Sequence, residues 1–143
     1  MNGIIVIICF VLGFTIAQLI KFFVFLAKGG SLNEAKSYLT RSGGMPSGHS
    51  ASITAATIYL GFSQGFNSPI FALALCLSVI IIYDAVNVRY ATGEQGKVIN
   101  KLLSKTGRKE KLVRIVEGHT LPEALAGIAL GLLIGALMFF FFG

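Results

Sequence analysis

The apolar run at residues 3–27, GIIVIICFVLGFTIAQLIKFFVFLA, decides the fold class. Only Thr15, Gln18 and Lys21 interrupt it. A helix of about 20 apolar residues is enough to cross the hydrocarbon core of a bilayer. Because no Lys or Arg precedes the run and no small-residue cleavage site follows it, the pattern favours a retained membrane helix over a cleaved signal peptide.

The whole chain has the composition of a membrane protein. Of its 143 residues, 55% are hydrophobic and 13% are charged, and this charged fraction is about half of the ~25% that is typical of a soluble domain. A soluble chain of this length could not bury so much apolar surface. We therefore predict an all-α, polytopic membrane helix bundle that forms one domain over residues 1–143.

Three further apolar stretches predict spans at 47–64, 68–88 and 120–142, which gives about four spans with long loops at 29–45 and 90–118. The second stretch covers only ~24 Å as a helix, so a spanning helix there needs its polar start below the headgroups. The first loop is expected to hold one short surface helix. In the second loop apolar pairs alternate with basic residues, which favours an amphipathic segment on an anionic membrane surface over a solvated loop.

The basic residues predict an orientation. With four spans, all twelve Lys and Arg fall at or beyond one face of the membrane, and loops rich in Lys and Arg stay in the cytoplasm. We expect a multi-pass protein of the cell (inner or plasma) membrane, with both long loops cytoplasmic and both termini on the opposite side. The net charge of +6 then needs no nucleic acid partner to explain it.

Ionisable and polar residues gather at the cytoplasmic ends of all four predicted spans. They are Lys21, the tetrapeptide PSGH at 46–49, Asp84 with Arg89, and His119 with Glu123. The alternating topology brings these ends together at one depth. Because an ionisable group costs several kcal/mol in lipid, it is a functional candidate by default.

The chemistry that these residues suggest is phosphate handling. A helix N-terminus offers free N–H groups to an anion, with Ser47 as its cap and Gly48 allowing close approach. Arg89 would supply a fork of donors and Lys21 a mobile charge. Asp84 is a supporting residue that pairs with the Arg89 guanidinium, or a group with a direct catalytic role.

Two histidines add nucleophilic chemistry. His119 and Glu123 share one helix face, so the carboxylate can take one imidazole N–H and leave the other nitrogen free to attack. His49 would then protonate the leaving oxygen. The simpler interpretations also stand: a plain helix cap at PSGH, and a helix-stabilising pair of His119 with Glu123.

Three segments together resemble the divergent, small membrane branch of the type 2 phosphatidic acid phosphatase / vanadium-dependent haloperoxidase superfamily. They are GGMPSGHSA at 43–51, YDAVNVRYATGEQ at 83–95 and EGHTLPEALAG at 117–127. The resemblance covers nearly the whole chain. It implies a metal-free, two-step phosphatase with a phosphohistidine intermediate, no cofactor, and a lipid phosphate or diphosphate as substrate.

Carried over by motif, His119 resembles the nucleophile and Glu123 the carboxylate that orients it, where better-known members have Asp. Ser47, Gly48 and His49 resemble the family's central motif, with His49 as the acid or base toward the leaving group. Arg89 resembles the phosphate-binding arginine of the third motif. The first motif, a Lys with Arg-Pro seven residues later, is absent; Lys21 is the best substitute and Arg41 the next.

Two further departures from the family pattern concern the motif spacing and the number of membrane spans. The usual gap of a few residues between the arginine and the nucleophile is here the whole 90–118 segment, and four spans are fewer than the usual six. These departures allow a more open site, a site completed by a second subunit in a homodimer, or altered catalysis.

Three function classes therefore stay open. The leading one is a phosphatase for lipid phosphates at the cytoplasmic face. The second is a catalytically inactive lipid-phosphate-binding or transport-associated membrane protein. The third is a metallohydrolase with His49, His119, Glu123 and Asp84 as ligands, but a spaced zinc motif is lacking and we predict no metal.

Overall fold

The computed structural model describes residues 3–38, 43–105, 112–113, 115 and 118–143. Over these residues the chain is helical and contains no strand. The elements are α1 (Gly3–Ala27), α2 (Leu32–Tyr38), α3 (Gly48–Gln64), α4 (Pro69–Tyr83), a π-helical turn (Asp84–Val88), α5 (Arg89–Lys105) and α6 (Leu121–Phe142). The predicted all-α membrane helix bundle is confirmed, and α2 is the short helix expected between the first two apolar stretches.

Helix α3 lies at the centre of the bundle. It packs against α1, α4 and α6, and all its residues from 51 to 57 are buried. Three of the described helical segments are long and apolar enough to cross a membrane: Gly3–Ala27, Pro69–Lys105 and Leu121–Phe142. Helix α3, with 17 residues, is not among them, and it is enclosed by these longer neighbours.

Glycines let the helices around α3 approach its backbone. On α6, Gly127, Gly131 and Gly135 recur every four residues and form a stripe that faces α3. A Cβ atom at Gly131 would lie 2.6 Å from the carbonyl oxygen of Ala51, well inside van der Waals contact. Such spacing of small residues is typical of tightly packed membrane helices. On the other side, Gly13 of α1 packs against the same turn of α3.

The third predicted span does not end at residue 88. The helix continues through the π-helical turn to Lys105, which makes one helical segment of 37 residues, ~56 Å long at 1.5 Å per residue. Residues 90–105 of the predicted 90–118 connection are therefore helical, as an amphipathic segment requires and a solvated loop does not. Their alternating apolar and basic residues belong to a helix that no proline interrupts, whereas contact of this segment with a membrane surface stays a prediction.

The chain returns along α5 toward the start of α6. The Asn100 side chain donates to the Val113 carbonyl at 2.9 Å and accepts from the Val113 N–H at 2.8 Å. A Cβ at Gly96 would touch Ile115. Gly118 lies so close to the Tyr90 backbone that it leaves no room for a side chain. These contacts fix the register in which the chain reaches α6.

Candidate active site

The start of α3 is a capped and buried helix N-terminus. The Ser47 hydroxyl accepts from the Ser50 N–H at 3.3 Å, as the sequence predicts for a cap. The Ser50 hydroxyl also donates to it at 3.1 Å, and Ser47 is fully buried. The Ser47 N–H donates to the Glu123 carbonyl at 2.9 Å, so the first turns of α3 and α6 are joined. The role of Ser47 and Gly48 in binding phosphate stays a prediction.

The start of α6 is a capping box formed by Thr120 and Glu123. The Glu123 Oε2 atom accepts from the Thr120 N–H at 3.1 Å and lies 3.1 Å from His119 Nδ1. Glu123 therefore stabilises the helix start and fixes the orientation of the imidazole at once. The two interpretations of His119 with Glu123, as an oriented imidazole and as a helix-stabilising pair, are therefore compatible.

His119 is held from both sides just before α6. Its backbone N–H donates to the Ala85 carbonyl in the π-helical turn at 2.9 Å, and its side chain is only 3% exposed. Since Nδ1 faces the Glu123 carboxylate, the neutral ring carries its proton there and leaves Nε2 unprotonated.

Burial lowers the pKa of the His119 imidazole below its ordinary value, and the positive charge of Lys21 acts in the same direction. The hydrogen bond to Glu123, the charge of Glu123 and the backbone of Gly44 oppose this change. Because the net effect is a lowered pKa, His119 is neutral at neutral pH. A neutral imidazole is the form that a nucleophile requires.

The two histidines of the chain lie next to each other. The ring centroids of His49 and His119 are 6.2 Å apart, with the ring planes inclined at 63°. His49 belongs to the first turn of α3, and the Phe14 ring of α1 meets it edge-on at 6.3 Å. Residues 70 positions apart in sequence thus approach as the topology predicts.

The π-helical turn brings Arg89 beside Asp84. The Arg89 Nε donates to Asp84 Oδ2 at 2.6 Å, and both side chains are about two-fifths exposed, at 42% and 40%. In a regular α-helix, residues five apart point roughly 140° away from each other. The wider π-helical turn puts them on one face, and π-helical turns are frequent at functional sites.

These side chains line a cavity of about 410 Å³, which we call the site cavity. Its polar lining comes from His49, Ser52, Asp84 and Arg89, and its apolar lining from Phe10, Ile80, Ile81 and Ala85. His119 is not among the lining residues. It lies next to His49, and its neighbours in sequence, Gly118 and Thr120, border a smaller space of about 130 Å³ together with Gly44 and Glu123.

Lys21 lies beside the two histidines but outside the site cavity. Its Nζ donates to the Gly43 carbonyl at 3.0 Å, and the residue is only 5% exposed. It borders a different space of about 500 Å³ near Gly44 and Pro46. Arg41, the second substitute for the missing first motif, lies outside the described residues.

The sequence analysis missed one buried polar residue near the two histidines. Gln18, which was noted only as an interruption of the first apolar run, is buried one turn before Lys21, and its Oε1 would lie 4.0 Å from a Cβ at Gly48. A buried amide on the face of Lys21 was the available signal. Within the described ranges, no group of three or more His, Cys, Asp and Glu side chains is placed to hold a metal ion.

Comparison with known proteins agrees with these features. The sequence matches the Divergent PAP2 family over residues 2–134. It is 36% identical over 121 residues to the uncharacterized membrane protein YuiD of Bacillus subtilis (strain 168), an alignment that covers 74% of this chain and 77% of that protein. No solved structure matches. With its apolar helices, the protein is a multi-pass membrane protein, and the chain belongs to the divergent PAP2 family.

Proposed function

We propose that this protein is a metal-independent membrane phosphatase that hydrolyses a lipid phosphate or diphosphate through a phosphohistidine intermediate. The observation that carries the proposal is the 6.2 Å separation of the His49 and His119 ring centroids, next to a cavity that Arg89 lines. Two imidazoles and a guanidinium from three separate segments supply a nucleophile, a proton donor and an anion-binding group.

In the first step the phosphate binds in the site cavity. Arg89 has five N–H donors, of which Nε is used by Asp84, so the remaining ones bind phosphate oxygens. His119 Nε2 attacks phosphorus, and the bond to the leaving oxygen breaks with its electron pair passing to that oxygen. His49 donates a proton to the leaving oxygen, so that a lipid alcohol leaves neutral and a lipid phosphate leaves with one negative charge fewer.

In the second step water hydrolyses the phosphohistidine. His49, now neutral, takes a proton from the attacking water. The phosphorus–nitrogen bond breaks, its electron pair returns to His119, and inorganic phosphate leaves. Glu123 keeps the imidazole in position during both steps, since its Oε2 lies 3.1 Å from Nδ1. Each step uses a side chain of this protein.

A lipid is the proposed substrate because the site lies among membrane helices. Gly48, at the start of α3, packs against Phe14 and approaches Gln18, which are near the middle of the 25-residue helix α1. A phosphate there is reached most directly from the bilayer. From the distribution of Lys and Arg, we propose that the site opens at the cytoplasmic face of the cell membrane, with both termini on the other side.

The test is phosphate release by the purified protein in detergent from phosphatidic acid, phosphatidylglycerol phosphate and a polyprenyl diphosphate. We expect release from at least one of them, and His119→Ala should reduce it by roughly 10⁴-fold or more. Lys105→Ala, at the far end of α5, is the control and should keep the wild-type rate. Turnover by folded His119→Ala that equals the wild type would refute the assignment.

A second candidate is a lipid-phosphate-binding protein without catalysis. The observation that favours it is the burial of His119, which is only 2% exposed and does not line the site cavity. Brief incubation with ³²P-labelled substrate followed by acid-free denaturation separates the two candidates. An enzyme yields a labelled histidine at position 119, whereas a binder retains substrate without any labelled protein.

A further inference from the structure

A second cavity continues from the site cavity along the same helices. It has a volume of about 350 Å³ and is lined by residues of α1, α3 and α4, among them Val6, Ile53, Leu60 and Leu77. We call it the apolar cleft. Phe10 lines both the apolar cleft and the site cavity, so the two spaces lie on either side of this residue.

The apolar cleft exists because α1 and α4 both pack on α3 but have almost no contact with each other over their described residues. Helix α3 forms the floor and the other two form the walls. Small side chains, Ala56 on the floor and Ala74 on one wall, leave the space between them open. The cleft therefore opens sideways, between two helices long and apolar enough to face lipid.

The lining changes from charged to apolar along the helix axes. On α3 the lining runs from His49 in the site cavity to Leu60 in the apolar cleft, a rise of ~16 Å for a helix. On the antiparallel segment formed by α4 and the π-helical turn, it runs from Asp84 to Ala74. A ligand that fills both spaces must be charged at one end and apolar over the remainder.

The polar groups near the cleft have partners within the protein. The hydroxyls of Thr57 and Ser78 are 2.8 Å apart, and the Ser78 hydroxyl donates to the Ala74 carbonyl at 2.8 Å. Because these groups are satisfied, the cleft offers its occupant an apolar surface. A hydrocarbon chain gains from that surface, whereas water does not.

We propose that the apolar cleft binds one hydrocarbon chain of a lipid whose phosphate lies in the site cavity, and that Phe10, Ala56 and Ala74 determine which chains fit. The position of the phosphate rests on the proposed function. An acyl chain and a prenyl chain offer the cleft the same apolar surface, and the probes below distinguish these two kinds of lipid.

Photolabelling tests occupancy without relying on turnover. The full-length protein in phosphatidylcholine nanodiscs is irradiated with phosphatidic acid that carries a diazirine on its acyl chain, and labelled residues are located by mass spectrometry. We expect labels on Leu60 and Leu77, and about tenfold less labelling from the matching diacylglycerol, which lacks the charged group that Arg89 binds. A diazirine-bearing farnesyl diphosphate serves as the prenyl arm.

The reference for that experiment is Leu133, which is exposed on α6. Labelling of the cleft that does not exceed labelling of Leu133, or that is equal with and without the phosphate, overturns the proposal. If the cleft labels but no substrate is hydrolysed, the cleft stands and the phosphatase function fails. If substrate is hydrolysed and the cleft does not label, the phosphatase function stands and the cleft proposal fails.

A substitution pair tests chain selection. Ala74→Phe fills the cleft from its α4 wall, whereas Ala72→Phe makes the same change at an exposed position of α4. We expect Ala74→Phe to lower kcat/KM for dipalmitoyl phosphatidic acid about 10-fold relative to the dihexanoyl lipid, and Ala72→Phe to leave that ratio unchanged. An equal loss for both lipids in Ala74→Phe contradicts the proposed selection, and the labelling pattern decides the case if this variant does not fold.

Discussion

The Arg89 guanidinium donates through Nε to Asp84 Oδ2 at 2.6 Å, across a π-helical turn that places both residues on the wall of one cavity. The pair is about two-fifths exposed, so its contribution to folding is ~1 kcal/mol or less. Its geometry matters more than its energy, because it fixes the direction in which the remaining donors of Arg89 point.

We therefore predict different consequences for the two members of the pair. Arg89→Ala removes the anion-binding group and should lower kcat/KM by ~10²-fold or more. Asp84→Asn keeps the arginine but weakens its orientation, and should cost less than Arg89→Ala. Steady-state kinetics on the best lipid phosphate measure both, and thermal unfolding should show both variants close to the wild type. A large loss of stability with unchanged kinetics would make the pair structural.

The second prediction concerns pH. Burial lowers the pKa of His119, so protonation of His119 should limit kcat/KM only below the ordinary histidine value of about 6.5, whereas loss of the proton that His49 donates limits kcat/KM on the alkaline side. Glu123 raises this pKa through its hydrogen bond and charge. Glu123→Gln should therefore move the acid limb of the pH profile to lower pH while decreasing kcat. A limb that moves upward would contradict the assigned contact.

The lowered pKa of His119 also makes the stability of the folded protein depend on pH. The unfolded chain binds a proton at His119 near pH 6.5, whereas the folded protein resists it until lower pH. Folding should thus lose stability between about pH 6.5 and the lowered pKa. Thermal unfolding as a function of pH measures this loss, and it should be smaller in His119→Ala than in the wild type.

The third prediction concerns the glycine stripe on α6. In Gly131→Leu the new side chain would meet the α3 backbone, since even a Cβ there lies 2.6 Å from the Ala51 carbonyl. We expect a loss of at least ~1–3 kcal/mol from overpacking. Ala129→Leu, at an exposed position of the same helix, should be tolerated. Thermal unfolding in one detergent compares the two; equal stability would mean that α3 and α6 do not pack as described.

The fourth prediction concerns the segment that leads to His119. Asn100→Ala removes both hydrogen bonds to Val113, each worth ~1 kcal/mol. Amide exchange at Val113 should become faster, and kcat should fall because His119 is held less firmly. Lys101→Ala, an exposed neighbour on α5, is the control. Unchanged exchange at Val113 in Asn100→Ala would show that the two hydrogen bonds from Asn100 do not hold this segment.

Sequence alone was enough for the parts of the fold that follow from local composition. The runs that form α1 and α6 are long and apolar, and their ends are marked by Gly3 and by the Thr120 capping box. The two histidines were predicted to meet because the alternating topology leaves their segments at one end of the bundle. The packing stripe of Gly127, Gly131 and Gly135 was also legible, since its period is four, but it was overlooked.

The remaining features depend on tertiary context. The turn at Asp84–Val88 is π-helical although DAVNV contains neither Gly nor Pro, so no local signal marks it. The Ala85 carbonyl in this turn accepts from His119, a contact that sequence spacing cannot reveal. The sequence predicted an amphipathic segment within 90–118 but not that it continues the preceding span as one helix, since only Gly93 and Gly96 of α5 are buried and few apolar residues mark the continuation.

The hydrogen bond from Ser47 to the Glu123 carbonyl has a mechanical consequence. Together with the glycine contacts it joins α3 to α6 at the level of the two histidines, so the spacing of the imidazoles depends on this helix contact. Helix α4, in contrast, packs on α3 and has almost no described contact with α1 or α6, so we expect a lipid to enter beside α4 rather than between α3 and α6.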